Sequence, residues 1–136
     1  MNKFENIMIT GTITSAKEES LKIYEMLVEE LTPYSNKIYS PIDTIKFKGT
    51  NEQMYIRVMK MLQETDLVIA EMSSPSTGQG MELQEAVRLN IPIIIVARTG
   101  SKISSTVLGS GKIKATLFYN NKEEIKDIFT HILNNM

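Results

Sequence analysis

Leu67-Val68-Ile69-Ala70-Glu71-Met72-Ser73-Ser74-Pro75-Ser76-Thr77-Gly78-Gln79-Gly80-Met81-Glu82-Leu83 is the stretch from which the rest of the chain can be read. Its first four residues form an apolar run without polar alternation, which suits a strand covered on both faces, as in a parallel sheet. Glu71 closes that strand, and small polar residues follow as a turn. Ser76 or Thr77 can cap a helix starting there, while Gly78 and Gly80 let backbone come close to a ligand. Glu82 is then expected in the first turn of that helix. There, free amides and the positive end of the macrodipole favour an ionised carboxylate. Such a carboxylate can act as a nucleophile toward an anomeric carbon, or it can be an ordinary helix-start acid.

On either side of this stretch, apolar runs and helical signatures alternate. Ile7-Met8-Ile9 and Lys37-Ile38-Tyr39 read as the strands before it, and Ile93-Ile94-Ile95-Val96 and Ala115-Thr116-Leu117-Phe118-Tyr119 as those after it. Helix starts are expected at the capping box Ser15–Glu18, at Thr50 with Gln53, and at Asn121 with Glu124,. Ile125, Ile128, Phe129, Ile132 and Leu133 form one stripe of the last helix, and His131 lies off it as a surface residue,. The β-α-β alternation implies an α/β fold, a doubly wound (Rossmann- or flavodoxin-like) five-stranded parallel sheet with helices on both faces. Ligands bind such sheets outside the carboxyl ends of the strands. That directs attention to the loops Thr10–Ser15, Pro41–Thr50, Met72–Gly80 and Arg98–Gly111.

Composition narrows the chemistry. A chain of 136 residues without an internal repeat or linker reads as one domain, residues 1–136,. It has no cysteine and one histidine, which excludes a disulfide scaffold, a thiol nucleophile and a Cys- or His-rich metal site,. No metal or other cofactor is called for. Thr10-Gly11-Thr12-Ile13-Thr14-Ser15 lacks the three spaced glycines of a dinucleotide fingerprint,. With no apolar run near the ~20 residues that span a bilayer, and no signal-peptide pattern, a soluble cytoplasmic protein without a membrane partner is expected. Net charge is −1, yet between Glu85 and Glu123 there are only basic charges, Arg88, Arg98, Lys102, Lys112, Lys114 and Lys122. That run reads either as solvated loop lysines or as local attraction for a small anion. It is too sparse for nucleic acid.

The second helix, about Asn51 to Glu64, carries Met54, Tyr55, Val58, Met59, Met61 and Leu62 over an arc of roughly 160° at 100° per residue,. That is wider than one sheet contact requires. Either methionine serves as core filler or part of the arc meets a partner, which gives a homodimer or higher homo-oligomer.

Asp66 through Leu83 resembles the signature of the nucleoside 2-deoxyribosyltransferase family, nearest its 2′-deoxynucleoside 5′-monophosphate N-hydrolase (N-glycosidase) branch. The first strand ending in Thr10-Gly11-Thr12-Ile13 and the strand behind Ile91-Pro92 fall in the same order. The resemblance implies that Glu82 attacks the anomeric carbon and that water or a second base resolves the glycosyl-enzyme. It implies that hydroxyls at Thr12, Ser76 and Ser104 hold a 5′-phosphate, with Ser104 supplied by a neighbouring subunit. Four positions depart from it: Met8 stands where the family has tyrosine, Val58 where it has aspartate, Thr14 where it has arginine and Gln84 where it has glycine.

The candidate site is therefore Glu82 as nucleophile, with Thr10, Gly11, Thr12, Ser76, Gly78, Gly80 and Ser104 around substrate and phosphate. Two residues are open to two readings each. Glu71 is a loop-bracing carboxylate or, with Asp43, an accessory catalytic one. Phe47 stacks on a base or anchors its own loop. Two function classes follow: an N-glycosidase or deoxyribosyltransferase-like enzyme acting on a nucleotide or nucleoside, or a catalytically silent nucleotide-binding or sensor domain of the same fold.

Overall fold

The computed structural model describes residues 3–12 and 18–136. Five strands, β1 (Phe4–Thr10), β2 (Ser35–Tyr39), β3 (Leu67–Glu71), β4 (Ile93–Arg98) and β5 (Ile113–Tyr119), form one sheet in the order β2-β1-β3-β4-β5. Every pairing is parallel, with Ile7 opposite Leu67 and Ile69 opposite Ile94. This is the flavodoxin-like order, in which the chain turns outward in opposite directions from β1 and β3. The expected fold class is what the structure shows, and each strand lies where its apolar run placed it.

The continuous apolar runs are explained by cover on both faces. All five residues of β3 are buried. Ile7, Ile9, Leu67, Ile69, Ile94 and Val96 point to one face, packed by α1 (Glu18–Leu31) and α6 (Glu123–Asn134) through Tyr24, Leu27, Phe129 and Leu133. Their neighbours Met8, Val68, Ala70, Ile93 and Ile95 point to the other, under Val58 and Leu62 of α3 (Asn51–Gln63) and Leu83 and Ala86 of α4 (Thr77–Arg88). No helix among the described residues is long and apolar enough to cross a membrane.

Capping accounts for several boundaries. Thr50 Oγ1 accepts from Gln53 N at 3.1 Å and Gln53 Oε1 accepts from Thr50 N at 2.8 Å, the expected reciprocal pair,. At α6 the pair is offset: Asn121 Oδ1 accepts from Glu124 N at 3.2 Å, but Glu124 reaches back to Asn120 N at 3.3 Å. Most of the Ser15–Glu18 box lies outside the described residues.

Two stretches read as loops contain helices. Pro41–Thr50 holds α2 (Pro41–Lys46), started by Ser40, whose Oγ accepts from Ile42 N while Asp43 accepts from Ser40 N. Serine followed by proline and, three residues on, an acid was the available signal. Arg98–Gly111 holds α5 (Ser105–Leu108), a single turn capped by Ser104. The wide arc of α3 is split. Val58, Met61 and Leu62 are buried, Met54 and Met59 are half-buried, and Tyr55 is 52% exposed beside Ile56 at 58%.

β1 ends against α1. Tyr24 donates to the Thr12 carbonyl at 3.0 Å, and a Cβ at Gly11 would sit 2.6 Å from two carbons of its ring. Gly11→Ala is therefore expected to destabilise the fold by about 1–3 kcal/mol through overpacking, read from the midpoint of urea unfolding.

Candidate active site

The turn after β3 is braced by side chains the sequence had marked as small and polar. Glu71 accepts from Ser73 N at 2.7 Å, from Ser73 Oγ at 2.9 Å and from the Tyr119 hydroxyl. Ser73 Oγ in turn accepts from Arg98 N at 2.8 Å, tying the turn to the end of β4. Of its two readings, the loop-bracing one describes where Glu71 sits. Burial, then the hydrogen bond to Glu71, raises the Tyr119 hydroxyl above its ordinary value,.

α4 starts as expected at Ser76, whose Oγ accepts from Gln79 N at 3.3 Å. Gln79, 1% exposed, then donates through Nε2 to Thr10 Oγ1 at 3.2 Å and to the Glu71 carbonyl at 2.9 Å. One amide thus joins the ends of β1 and β3 to the base of α4. Sequence reading passed over Gln79 because it sits between two glycines that looked like the functional pair.

A cavity of about 530 Å³ opens at this point between α3 and α4. Gly78, Met81 and Glu82 come from α4 and Ser76 from its N-cap, Met54, Tyr55, Val58 and Met59 from α3, Thr44 from α2 and Gly11 from the end of β1. A narrow recess lined by Met8, Thr10 and Tyr39 also reaches Glu82. Met8 and Val58, two of the positions that depart from the resembled family, thus lie on walls that Glu82 shares.

Glu82 itself corrects one expectation. The helix begins at Thr77 and has no acid in its first turn, so Glu82 stands in the second turn. The favourable helix-end field falls off within the first turn. Among the described residues its carboxylate has no hydrogen-bond or ion-pair partner, and desolvation by the surrounding apolar side chains pushes it up to about 7,. The site tunes this carboxylate by burial, where the sequence suggested stabilisation by the helix.

The same architecture recurs in solved structures. The CMP N-glycosidase of Clostridium botulinum superposes with a TM-score of 0.72 at 17% identity, over 94% of this chain and 99% of that one. The 2-deoxyribosyltransferase of Bacillus psychrosaccharolyticus gives 0.70 at 16% identity, over 90% of each chain. The fold is that of the nucleoside 2-deoxyribosyltransferases. No family model matches the chain. A protein of Methanosarcina mazei with the provisional name 2′-deoxynucleoside 5′-phosphate N-hydrolase 1 is 27% identical over 131 residues, 91% of this chain and 81% of the relative. The resemblance read from Asp66–Leu83 is borne out on both counts.

Against this deoxyribosyltransferase-like frame the expected site residues divide into two groups. Glu82, Gly11, Ser76 and Gly78 line the large cavity, and Thr10 lines the recess beside it. Gly78 meets nothing that a Cβ would touch, so the cavity comes up to bare backbone there. Gly80 is exposed and outside the lining residues. Thr12 is buried on a second, polar cavity of about 340 Å³, with Tyr24, Glu71, Arg98 and Tyr119. Burial, then the Glu71 charge, raises the Tyr24 hydroxyl to about 12. Ser104 caps α5 and is exposed, and Asp43 caps α2. Phe47 lies under the Arg57 guanidinium at 5.1 Å, outside the lining of either cavity.

The basic run is dispersed: Arg88 pairs with Glu85, and Arg98 pairs with Glu19 over the ring of Tyr119. Thr14 lies outside the described residues. Thr44 and Asn51, which no motif marked, join the wall.

Because the folded state holds Glu82 near 7 against an ordinary 4.5, the native protein binds the extra proton between those values. Stability from this group is complete at low pH and falls as pH rises through about 7. Glu82→Gln is expected to match the parent at pH 4 and to exceed it at pH 8 by up to about 3 kcal/mol. Urea unfolding across that range checks the sign.

Proposed function

We propose that the chain is an N-glycosidase or deoxyribosyltransferase-like enzyme that cleaves the base–sugar bond of a nucleoside 5′-monophosphate, with Glu82 as nucleophile. One observation carries this reading. Glu82 is the carboxylate on the large cavity at the switch point of the sheet. It also lies within the stretch that resembles the N-hydrolases. An ionised Glu82 oxygen attacks the anomeric carbon as the base departs, and water or a second base opens the glycosyl ester. Ser76, Gly78 and the backbone at Thr10 and Gly11 hold sugar and phosphate. Thr12, and Ser104 from a second subunit, complete the phosphate contacts. The same reading takes residues 1–136 as one domain that works in the cytoplasm on a small-molecule nucleotide or nucleoside.

Incubation with a panel of nucleoside 5′-monophosphates and analysis for free base tests the activity. Glu82→Gln should keep the fold and lose base release by at least about a hundredfold, since an amide is a far poorer nucleophile. The parent kcat/KM should rise with pH and level off above about 7 as the carboxylate ionises,. A fall through the same range would give Glu82 the role of an acid.

A second reading, a catalytically silent nucleotide-binding or sensor domain, is favoured by Met8 and Val58 beside Glu82, which has no hydrogen-bond or ion-pair partner among the described residues. Under either reading a 5′-monophosphate should raise Tm clearly more than its nucleoside. Equal shifts would remove the phosphate from both.

Assembly belongs to the same proposal. The exposed side of α3, with Tyr55 and Ile56, together with half-buried Met59, is taken to meet its own copy across a two-fold axis,. Met59→Lys should then yield a monomer or a destabilised protein, with weakened phosphate-dependent binding, as measured by sedimentation and thermal shift.

A further inference from the structure

The first turn of α4 is weak by itself. It contains two glycines, Gly78 and Gly80, and only proline is a poorer helix former,. Thr77, Gly78 and Gly80 are exposed, whereas Gln79 among them is buried. A Cβ at either glycine would meet nothing within 4 Å among the described residues, so packing does not steady the turn there. The Ser76 cap sets where the helix starts. It does not set where the helix stands on the sheet, because the cap and the amide it receives belong to one segment.

Gln79 makes that connection. Its Nε2 group carries two hydrogens and donates to Thr10 Oγ1 at 3.2 Å and to the Glu71 carbonyl at 2.9 Å,. A backbone carbonyl can only accept, so the amide nitrogen, and not its oxygen, faces the strands. The two acceptors are the last residues of β1 and β3, the strands that flank the switch point. Two directional bonds from one planar group to two strands restrain both sliding and turning of the helix. Apolar packing through Leu83 and Ala86 has no such direction,. Glu82 lies three residues on, a neighbour of Gln79 on the helix surface, and both side chains line the large cavity,. A shift of the first turn is therefore carried to the Glu82 carboxylate.

Resting on the glycosidase reading above, we propose that Gln79 is a positioning residue of the reaction. It acts through Glu82, by holding α4 against the ends of β1 and β3 where the carboxylate reaches the anomeric carbon. Bond making depends on that distance more steeply than binding does, and a misplacement of about 1 Å can cost about a hundredfold in rate. Contacts to sugar and phosphate are several and adjust with the ligand, so affinity changes less.

The test is steady-state base release, with kcat and KM measured separately. The substrate is whichever of dAMP, dGMP, dCMP, dTMP, dUMP and CMP the parent cleaves fastest. Gln79→Leu keeps most of the volume and removes both bonds, and should lower kcat by about tenfold or more with KM within about threefold. Thr10→Val cuts only the β1 end of the bridge and leaves the Thr10 backbone and the amide in place. It should lower kcat by about threefold or more with KM held, and should lower it little further when added to Gln79→Leu. Thr65→Val makes the same exchange at the opposite end of the sheet, where Thr65 Oγ1 donates to the Met61 carbonyl at 2.7 Å. It should keep the parent kcat after a comparable loss of stability in urea.

A Gln79→Leu kcat within about threefold of the parent would overturn the inference, as would a loss confined to KM, which marks a binding residue. A matching fall in kcat for Thr65→Val would reduce the effect to general stability and overturn it too. If Gln79→Leu does not fold, Thr10→Val decides, and an unchanged kcat there overturns the inference. All these outcomes leave the glycosidase reading standing. No base from any of the six monophosphates with the parent protein would overturn that reading and this inference together.

Discussion

The side-chain amide of Gln79 reaches from the first turn of α4 to the ends of two strands, donating to the Thr10 hydroxyl and the Glu71 carbonyl. Those strands, β1 and β3, are the pair between which the sheet changes direction, so their carboxyl ends diverge from the helices that follow. A crevice at that place is a consequence of topology. Whether it has a fixed shape depends on something bridging it, and here the bridge is a buried amide with both donors used. Glu71 and Ser73 extend the same network to Tyr119 and to the amide of Arg98. The cavity wall carrying Glu82 is thereby referenced to four of the five strands.

The architecture was legible because one physical requirement, burial on both faces, wrote itself into β1, β3 and β4 as unbroken apolar runs. The helix starts at Thr50 and Ser76 were legible for an equally local reason, since a cap is satisfied within three residues. What escaped was of two kinds. α2 and α5 are too short to show periodicity and are marked mainly by their caps, Ser40 with Asp43 and Ser104. The cavity wall from Thr44 and Asn51, and the bridging role of Gln79, are products of long-range assembly, and no spacing along the chain encodes them.

Glu82 illustrates the same limit in energetic form. Its sequence position suggested a carboxylate stabilised by a helix end, but one additional turn of helix places it among Val58, Met8 and Met81, with no donor to receive it among the described residues. Burial and the helix field oppose each other for a carboxylate, and the outcome turns on distance. One turn of helix rises about 5.4 Å, enough to leave the strongest part of the field. Desolvation then dominates, and the group titrates near neutrality.

The network that fixes the Glu82 wall runs through β1, β3, β4, β5 and α4, and none of its hydrogen bonds goes to α3. Met54, Val58 and Met59 hold their places across the cavity by packing alone. The two walls can therefore change at different rates over evolutionary time. Exchanging unbranched or branched apolar side chains on α3 redraws the volume offered to a ligand without unpicking the turn that aims the carboxylate. A lineage built this way can explore new ligands one methyl group at a time, with each intermediate still folded around the same anchored glutamate.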